Sequence, residues 1–232
     1  MKKEITTQII PINFTNILSV TLPESVVVSI NTHIDSVIAD RNKVSYRTRL
    51  AGEITSGEQT GLNPDHPDLN VLKQIYLEAS NALYKDFYSA ALNPDNDIYR
   101  LFGSNPRIDI NDMWYNVYKD GDYNPLHCHS TRARMGLSSF LFLKLPSQIT
   151  TGTANLNGAH GNNDGKTCFY YGNSGYDDFY NWKYPTGITL DPKVGQLFIF
   201  PKWMQHLVYP FRGEGERRTL AANVNIWAEG ER

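Results

Sequence analysis

The chain has 232 residues, 41% of them hydrophobic, and a formal net charge of -2. That is enough chain to bury a real core as one large domain. Its basic clusters, such as Arg47/Arg49 and Arg217/Arg218, are too short to form the stripe that nucleic acid requires. The apolar runs Val26–Ile30 and Leu141–Leu145 are far too short to span a bilayer, and no apolar segment follows Met1-Lys2-Lys3-Glu4 as in a secretory signal. With only Cys128 and Cys168 present, a disulfide scaffold is excluded and a reducing, cytoplasmic setting is expected.

In chain order, Ile5–Ile12 reads as a strand. Pro23-Glu24-Ser25 opens a helix that runs to about Ala39. A polar, Gly-rich loop is expected from Arg49 to Pro67. Asp68 or a neighbour then caps a second helix, with Val71, Leu72, Ile75, Leu83 and Phe87 on its apolar face and a stop near Asn93-Pro94. From Ile108 the pattern changes to short strands: Ile110–Tyr118, Leu137–Leu145, Gly187–Leu190, Gly195–Phe200, His206–Tyr209 and Arg218–Trp227. Gly121-Asp122-Tyr123-Asn124-Pro125 marks a turn. Such spacing predicts a mainly β chain with packing helices, built as a barrel or two-sheet jelly roll. No internal repeat is visible. Asn155–Pro185 exceeds the needs of a connection and is a candidate lid or substrate loop.

Three features carry chemistry. In His127-Cys128-His129, residues two apart share a face if the segment is a strand, so two imidazoles converge as a metal requires and Cys128 points the other way, into the core. The plain alternative is a pair of surface histidines beside a turn. His206 follows the buried strand Gly195–Pro201, and it gains weight only as partner to the earlier pair. Arg217 and Thr219 share a face by the same period and suit a carboxylate, which a guanidinium holds through two parallel hydrogen bonds. Arg218, on the opposite face, is expected in solvent. Asn116 and Tyr118 also share a face and either touch a ligand or pack across strands. The segment 169–184 is crowded with Tyr and Trp and suits either a substrate wall or a self-packed loop. His33, His66 and His160 show no partner spacing and receive no role.

Taken together, the His-x-His pair, the distal His behind a Gly-to-Pro strand and the Arg one strand later resemble the 2-oxoglutarate and Fe(II)-dependent oxygenases. The closer likeness is to a group common in marine bacteria and their phages. It rests on Trp114–Val117, Gly121–Pro125, His127–His129, Leu137–Pro146, Gly195–Pro201, His206 and Glu216–Asn223, with Leu50–Ile54 upstream. It covers most of the chain from Ile5 and thins between Asn155 and Pro185.

The resemblance implies a double-stranded β-helix, cupin-like, with an N-terminal helical portion supporting one sheet. The domain is then single, 1–232. Its segment 1–106 supplies a strand and supporting helices, 107–228 the jelly-roll core, and 155–185 an insertion loop. The implied cofactors are Fe(II), 2-oxoglutarate and O2. The implied metal ligands are His127, His129 and His206. The implied cosubstrate residues are Arg217 and Thr219, joined by Asn116 or Tyr118, with no catalytic group beyond the metal centre. The implied activity is a hydroxylase acting on a peptide side chain or small molecule, in the cytoplasm of a bacterium or phage-infected cell, with no nucleic-acid or membrane partner.

His129 departs from the wider pattern, in which a carboxylate occupies that position. Three neutral imidazoles leave the ion at about +2 rather than +1. Otherwise His129 turns away, and the third place falls to water, a halide, Asp122 or the Asp177-Asp178 pair. Two other readings stay open: a three-histidine cupin-type enzyme that does not use 2-oxoglutarate, and a non-catalytic jelly roll.

Overall fold

The computed structural model describes residues 6–12, 15–90, 106–129, 135–150, 163–171 and 187–228. Its elements in chain order are β1 (Thr6–Ile12), β2 (Thr15–Thr21), α1 (Glu24–Ala39), β3 (Glu58–Gly61), a 3-10 turn (Pro67–Leu69), α2 (Asn70–Ala90), β4 (Arg107–Tyr118), β5 (Asn124–His127), β6 (Gly136–Lys144), α3 (Ser147–Thr150), β7 (Thr167–Tyr170), β8 (Gly187–Leu190), β9 (Gln196–Pro201), β10 (Gln205–Val208) and β11 (Arg217–Trp227). A major sheet runs β1-β2-β9-β6-β11-β4-β3, and a minor sheet runs β5-β10-β7-β8. Every pairing is antiparallel. This is the curled two-sheet jelly roll expected from the strand spacing.

Side-chain alternation explains why the central strands read as nearly continuous apolar runs: the major sheet is covered on both faces. Leu137, Leu141 and Leu143 of β6 join Leu197, Ile199, Leu220 and Val224 in one core with Val27, Ile30 and Ile34 of α1 and Leu72, Tyr76 and Leu83 of α2. The intervening residues Phe140, Phe142, Phe198 and Phe200 form a second core with Phe169 from the minor sheet. The helices therefore back one face, while the other faces the space between the sheets. On β4 and β11 that inner face carries polar residues: Asn116, Arg217 and Thr219 are all buried there.

Sequence expectation and structure agree on the main strands and both helices, apart from end shifts of a few residues. Pro23 sits just ahead of α1, and its carbonyl accepts the Val26 and Val27 N–H groups at 3.0 and 3.3 Å. Strands β2, β3 and β7 had no sequence assignment, and β5 overlaps the expected turn at Gly121–Pro125; β7 lies inside the expected 155–185 loop and pairs with β10 and β8. β2 is short and mixed in composition, and it exists because β1 and β9 pair with it on either side. β3 lies inside the expected Gly-rich loop and forms by pairing with β4, Glu58 opposite Val117 and Gln59 opposite Asn116. The end of the second helix near Asn93-Pro94 lies outside the described residues, as does the side chain of Phe87. Among the described residues, no helix is long and apolar enough to cross a membrane.

Arg218 corrects a sequence expectation. It is 3% exposed, pairs with Asp35 at 2.7 Å and Glu216 at 2.9 Å, and donates to Asn31. The outer face of β11 is roofed by α1, so the residue expected in solvent is a buried tie between sheet and helix.

Candidate metal centre and carboxylate pocket

His127 ends β5 and lies directly opposite His206 of β10 in the ladder register. Their ring centroids are 4.3 Å apart. His129 reaches the same place by a different route from the one its spacing suggested. The strand ends at His127, so strand alternation does not place His129. Its backbone N–H donates to the Lys202 carbonyl at 3.0 Å, and this bond fixes the turn. The same irregularity overturns the expectation for Cys128, which is exposed rather than in the core.

One donor atom from each of the three histidines lies within 4.8 Å of the others. Imidazole nitrogens on a common ion sit about 3 Å apart, so a small inward movement of the rings suffices. Each Nδ1 is already engaged: His127 with the Pro125 carbonyl at 2.7 Å, His206 with the Met204 carbonyl at 3.0 Å, and His129 with Asn223 Oδ1 at 2.8 Å. These partners accept, so each Nδ1 carries the proton and each Nε2 keeps its lone pair for a ligand role. Burial, then neighbouring His127 and His129, holds His206 well below its ordinary pKa. Burial, then His127, lowers His129 to about 4. Burial lowers His127 as well. All three are neutral at pH 7, as metal binding requires.

Beside them lies Arg217, 1% exposed. Nη2 donates to Thr167 Oγ1 at 3.1 Å, while Nε and Nη1 have no hydrogen-bond partner. Its guanidinium carbon stands 5.0 Å from the Tyr118 ring and 5.1 Å from the Phe142 ring. Burial lowers its pKa to about 10, which still leaves it charged at neutral pH. Burial raises Tyr118 to about 12 against the opposing pull of Arg217. A buried cation without a carboxylate is costly, so these two free donor atoms fit an absent anion.

Asn116 donates to Thr219 Oγ1 at 3.2 Å and accepts from Gln59 Nε2 at 3.0 Å. The structure thus brings together the residues the sequence reading assigned to the metal and the cosubstrate: Asn116, Tyr118, His127, His129, His206, Arg217 and Thr219 line one cavity. Gln59, Thr167 and Asn223 had no assigned role. The first lies on the unanticipated β3, and the other two support the site through bonds that no spacing reveals. Asp122, an alternative third ligand, is used elsewhere: its carboxylate accepts from the Thr55, Ser56, Gly57 and Lys119 N–H groups and the Thr55 hydroxyl. Asp177-Asp178 and most of the Tyr-rich segment lie outside the described residues. A second chamber of about 260 Å³ adjoins His127 and His129 and is walled by Arg49, Leu50, Asp112, Trp114 and Cys128.

The donor set and the unpartnered guanidinium fit Fe(II) and 2-oxoglutarate. Comparison with known proteins agrees. The family model described as "Putative 2OG-Fe(II) oxygenase" matches residues 112–223. No curated protein matches the chain. Among solved structures, the non-haem α-ketoglutarate-dependent carbocyclase SnoK from nogalamycin biosynthesis is similar in fold, with TM-score 0.56 at 10% identity over 91% of this chain and 79% of that one. A prolyl hydroxylase from Trichoplax adhaerens, in complex with a hypoxia inducible factor peptide fragment, gives TM-score 0.54 at 14% identity over 93% and 85%. A Pseudomonas putida prolyl-4-hydroxylase gives 0.50 at 16% over 99% and 95%. Residues 112–223, which carry all three histidines and Arg217, are thus similar to the 2OG-Fe(II) oxygenases, whose cofactors are Fe(II) and 2-oxoglutarate.

Proposed function

We propose that the protein hydroxylates a C–H bond of a peptide side chain or small molecule, consuming O2 and 2-oxoglutarate and releasing succinate and CO2. In this reading His127, His129 and His206 hold the ion, and Arg217 with Thr219 holds the far carboxylate of 2-oxoglutarate. Bound Fe(II) with 2-oxoglutarate supplies the O2 activation that C–H hydroxylation needs. The chain's own residues do the rest. Asn116, fixed between Gln59 and Thr219, keeps the Thr219 hydroxyl directed at the cavity. Phe142 and Tyr118 flank the guanidinium and keep water from it. The chamber beside His127 and His129 offers space for the substrate, with Trp114 and Leu50 as apolar wall and Arg49 and Asp112 as polar contacts.

The observation that carries this reading is Arg217: a fully buried guanidinium with two donor atoms unused, next to three converging imidazoles. A metal site that ignored 2-oxoglutarate would have no use for it. The test is anaerobic calorimetry of Mn(II)-loaded protein with 2-oxoglutarate. Binding to the wild type, lost in Arg217→Ala while Mn(II) content is kept, supports the proposal. Equal binding by Arg217→Ala, or none by either protein, refutes it.

A further inference from the structure

His33 and His66 carry no spacing signal, yet the fold brings them together with Asp68. His33 lies on α1 with its side chain 6% exposed. His66 precedes the 3-10 turn and Asp68 lies within it, at 42% and 56% exposure. The two rings have centroids 4.2 Å apart. Asp68 Oδ2 stands 3.2 Å from His33 Nδ1 and 3.6 Å from His66 Nδ1. One donor atom from each residue lies within 4.8 Å of the other two.

These distances match a coordination shell. A tetrahedral ion with metal–nitrogen and metal–oxygen bonds of about 2.0–2.2 Å holds its donors about 3.3–3.6 Å apart. Two edges of that tetrahedron are therefore already set before any ion arrives. A further bond, from the Asp68 N–H to His66 Nδ1, is long at 3.3 Å, and the half-exposed turn lets water replace it. On an ion, the shared proton between His33 and Asp68 is exchanged for the metal. The exposed side leaves a fourth position open to water.

We propose that His33, His66 and Asp68 form a second divalent-cation site, distinct from the three-histidine centre, that ties α1 to the turn leading into α2. Two imidazoles and one carboxylate select Zn(II), Ni(II) or a similar borderline ion over Mg(II) or Ca(II), which prefer all-oxygen shells. The tie matters because both helices back the major sheet, whose opposite face carries the Arg217 pocket.

The test uses the full chain, stripped by dialysis against a chelator and titrated with Zn(II). Bound metal is counted after gel filtration, and Tm is recorded with and without Zn(II). Wild type should hold two equivalents, His66→Ala one, His206→Ala one, and the double variant none. Zn(II) should raise the Tm of His206→Ala but not that of the double variant. His66 and Asp68 are exposed enough for replacement without unfolding, so Asp68→Asn should repeat the His66→Ala loss. Wild-type metal content in both His66→Ala and Asp68→Asn would overturn the proposal. Metal lost only in His206→Ala would do the same while leaving the iron site standing. Metal lost only in His66→Ala would support this site and count against the other.

Discussion

His206 and His127 are direct cross-strand partners, one on β10 and one at the last residue of β5, with ring centroids 4.3 Å apart. The sheet register therefore presets the first two imidazoles, and neither depends on a loop. His129 completes the trio from beyond the strand end, held by the Lys202 carbonyl and by Asn223.

Burying three neutral imidazoles has a pH signature. Unfolded histidine titrates near 6.5, whereas burial and the neighbouring His127 put His129 near 4, and burial with both neighbouring histidines holds His206 well below its ordinary value. As pH falls from about 6.5 to 4, the unfolded chain takes up protons that the folded sites refuse. Stability of the metal-free protein is therefore full above this window and declines through it, by about 3 kcal/mol from His129 alone at pH 4. Urea unfolding of the metal-free protein across the window should show a falling midpoint, with a shallower slope in His129→Gln.

Asn223 acts on the metal through His129. It lies beside a register shift in β11 and accepts the His129 Nδ1 proton at 2.8 Å. Asn223→Ala should lower metal affinity about 10–100-fold while leaving the fold intact. Competition with a metal-indicator dye measures this; unchanged affinity would show that the bond does not orient the ring.

Arg217 and Arg218 are adjacent and both buried, but they serve opposite faces of β11. Arg217→Lys keeps the charge and loses the planar fork, so 2-oxoglutarate binding should weaken by about 2 kcal/mol or more, at least thirtyfold in Kd. Arg218→Ala should instead cost about 2 kcal/mol of stability by removing the buried side chain that ties β11 to Asn31 and Asp35 of α1, while Asp35 and Glu216 keep Lys144 and Lys119 as partners, with little change in Kd among molecules that stay folded. Denaturation curves and calorimetry on both variants separate the two roles.

Asp122 pins the segment ahead of β3, and through it Gln59. Burial alone would raise its pKa; the hydrogen bonds from Lys119, Thr55 and Ser56 outweigh that and leave it lowered. Its contribution is thus present above the unfolded carboxylate value near 3.9 and is lost as pH falls through the lower folded value. Asp122→Ala strands several donors and should cost about 3 kcal/mol at pH 7. The variant should also lack the wild type's extra acid sensitivity below about pH 4.

The strands read most plainly from sequence are those buried on both faces. β6 and β9 advertise themselves as apolar runs because helices cover one side and the minor sheet the other. The His-x-His pair, His206 and Arg217 were legible because their chemistry is rare in combination. β2, β3 and β7 were not, since each owes its existence to pairing with a strand distant in sequence. Arg218 shows the same limit: alternation puts it opposite Arg217, but only the docked α1 decides that this face is dry. Cys128 and His129 show that a strand can end two residues before the pattern suggests, with a single backbone bond to Lys202 then setting the geometry.

An anaerobic crystal structure with Mn(II) and 2-oxoglutarate tests the central claim most directly. The expected result is one ion within about 2.0–2.3 Å of Nε2 of His127, His129 and His206, with the far carboxylate of 2-oxoglutarate on Arg217 Nε and Nη1. An ion that leaves any of the three imidazoles unbound, or a cosubstrate carboxylate seated away from Arg217, would contradict it.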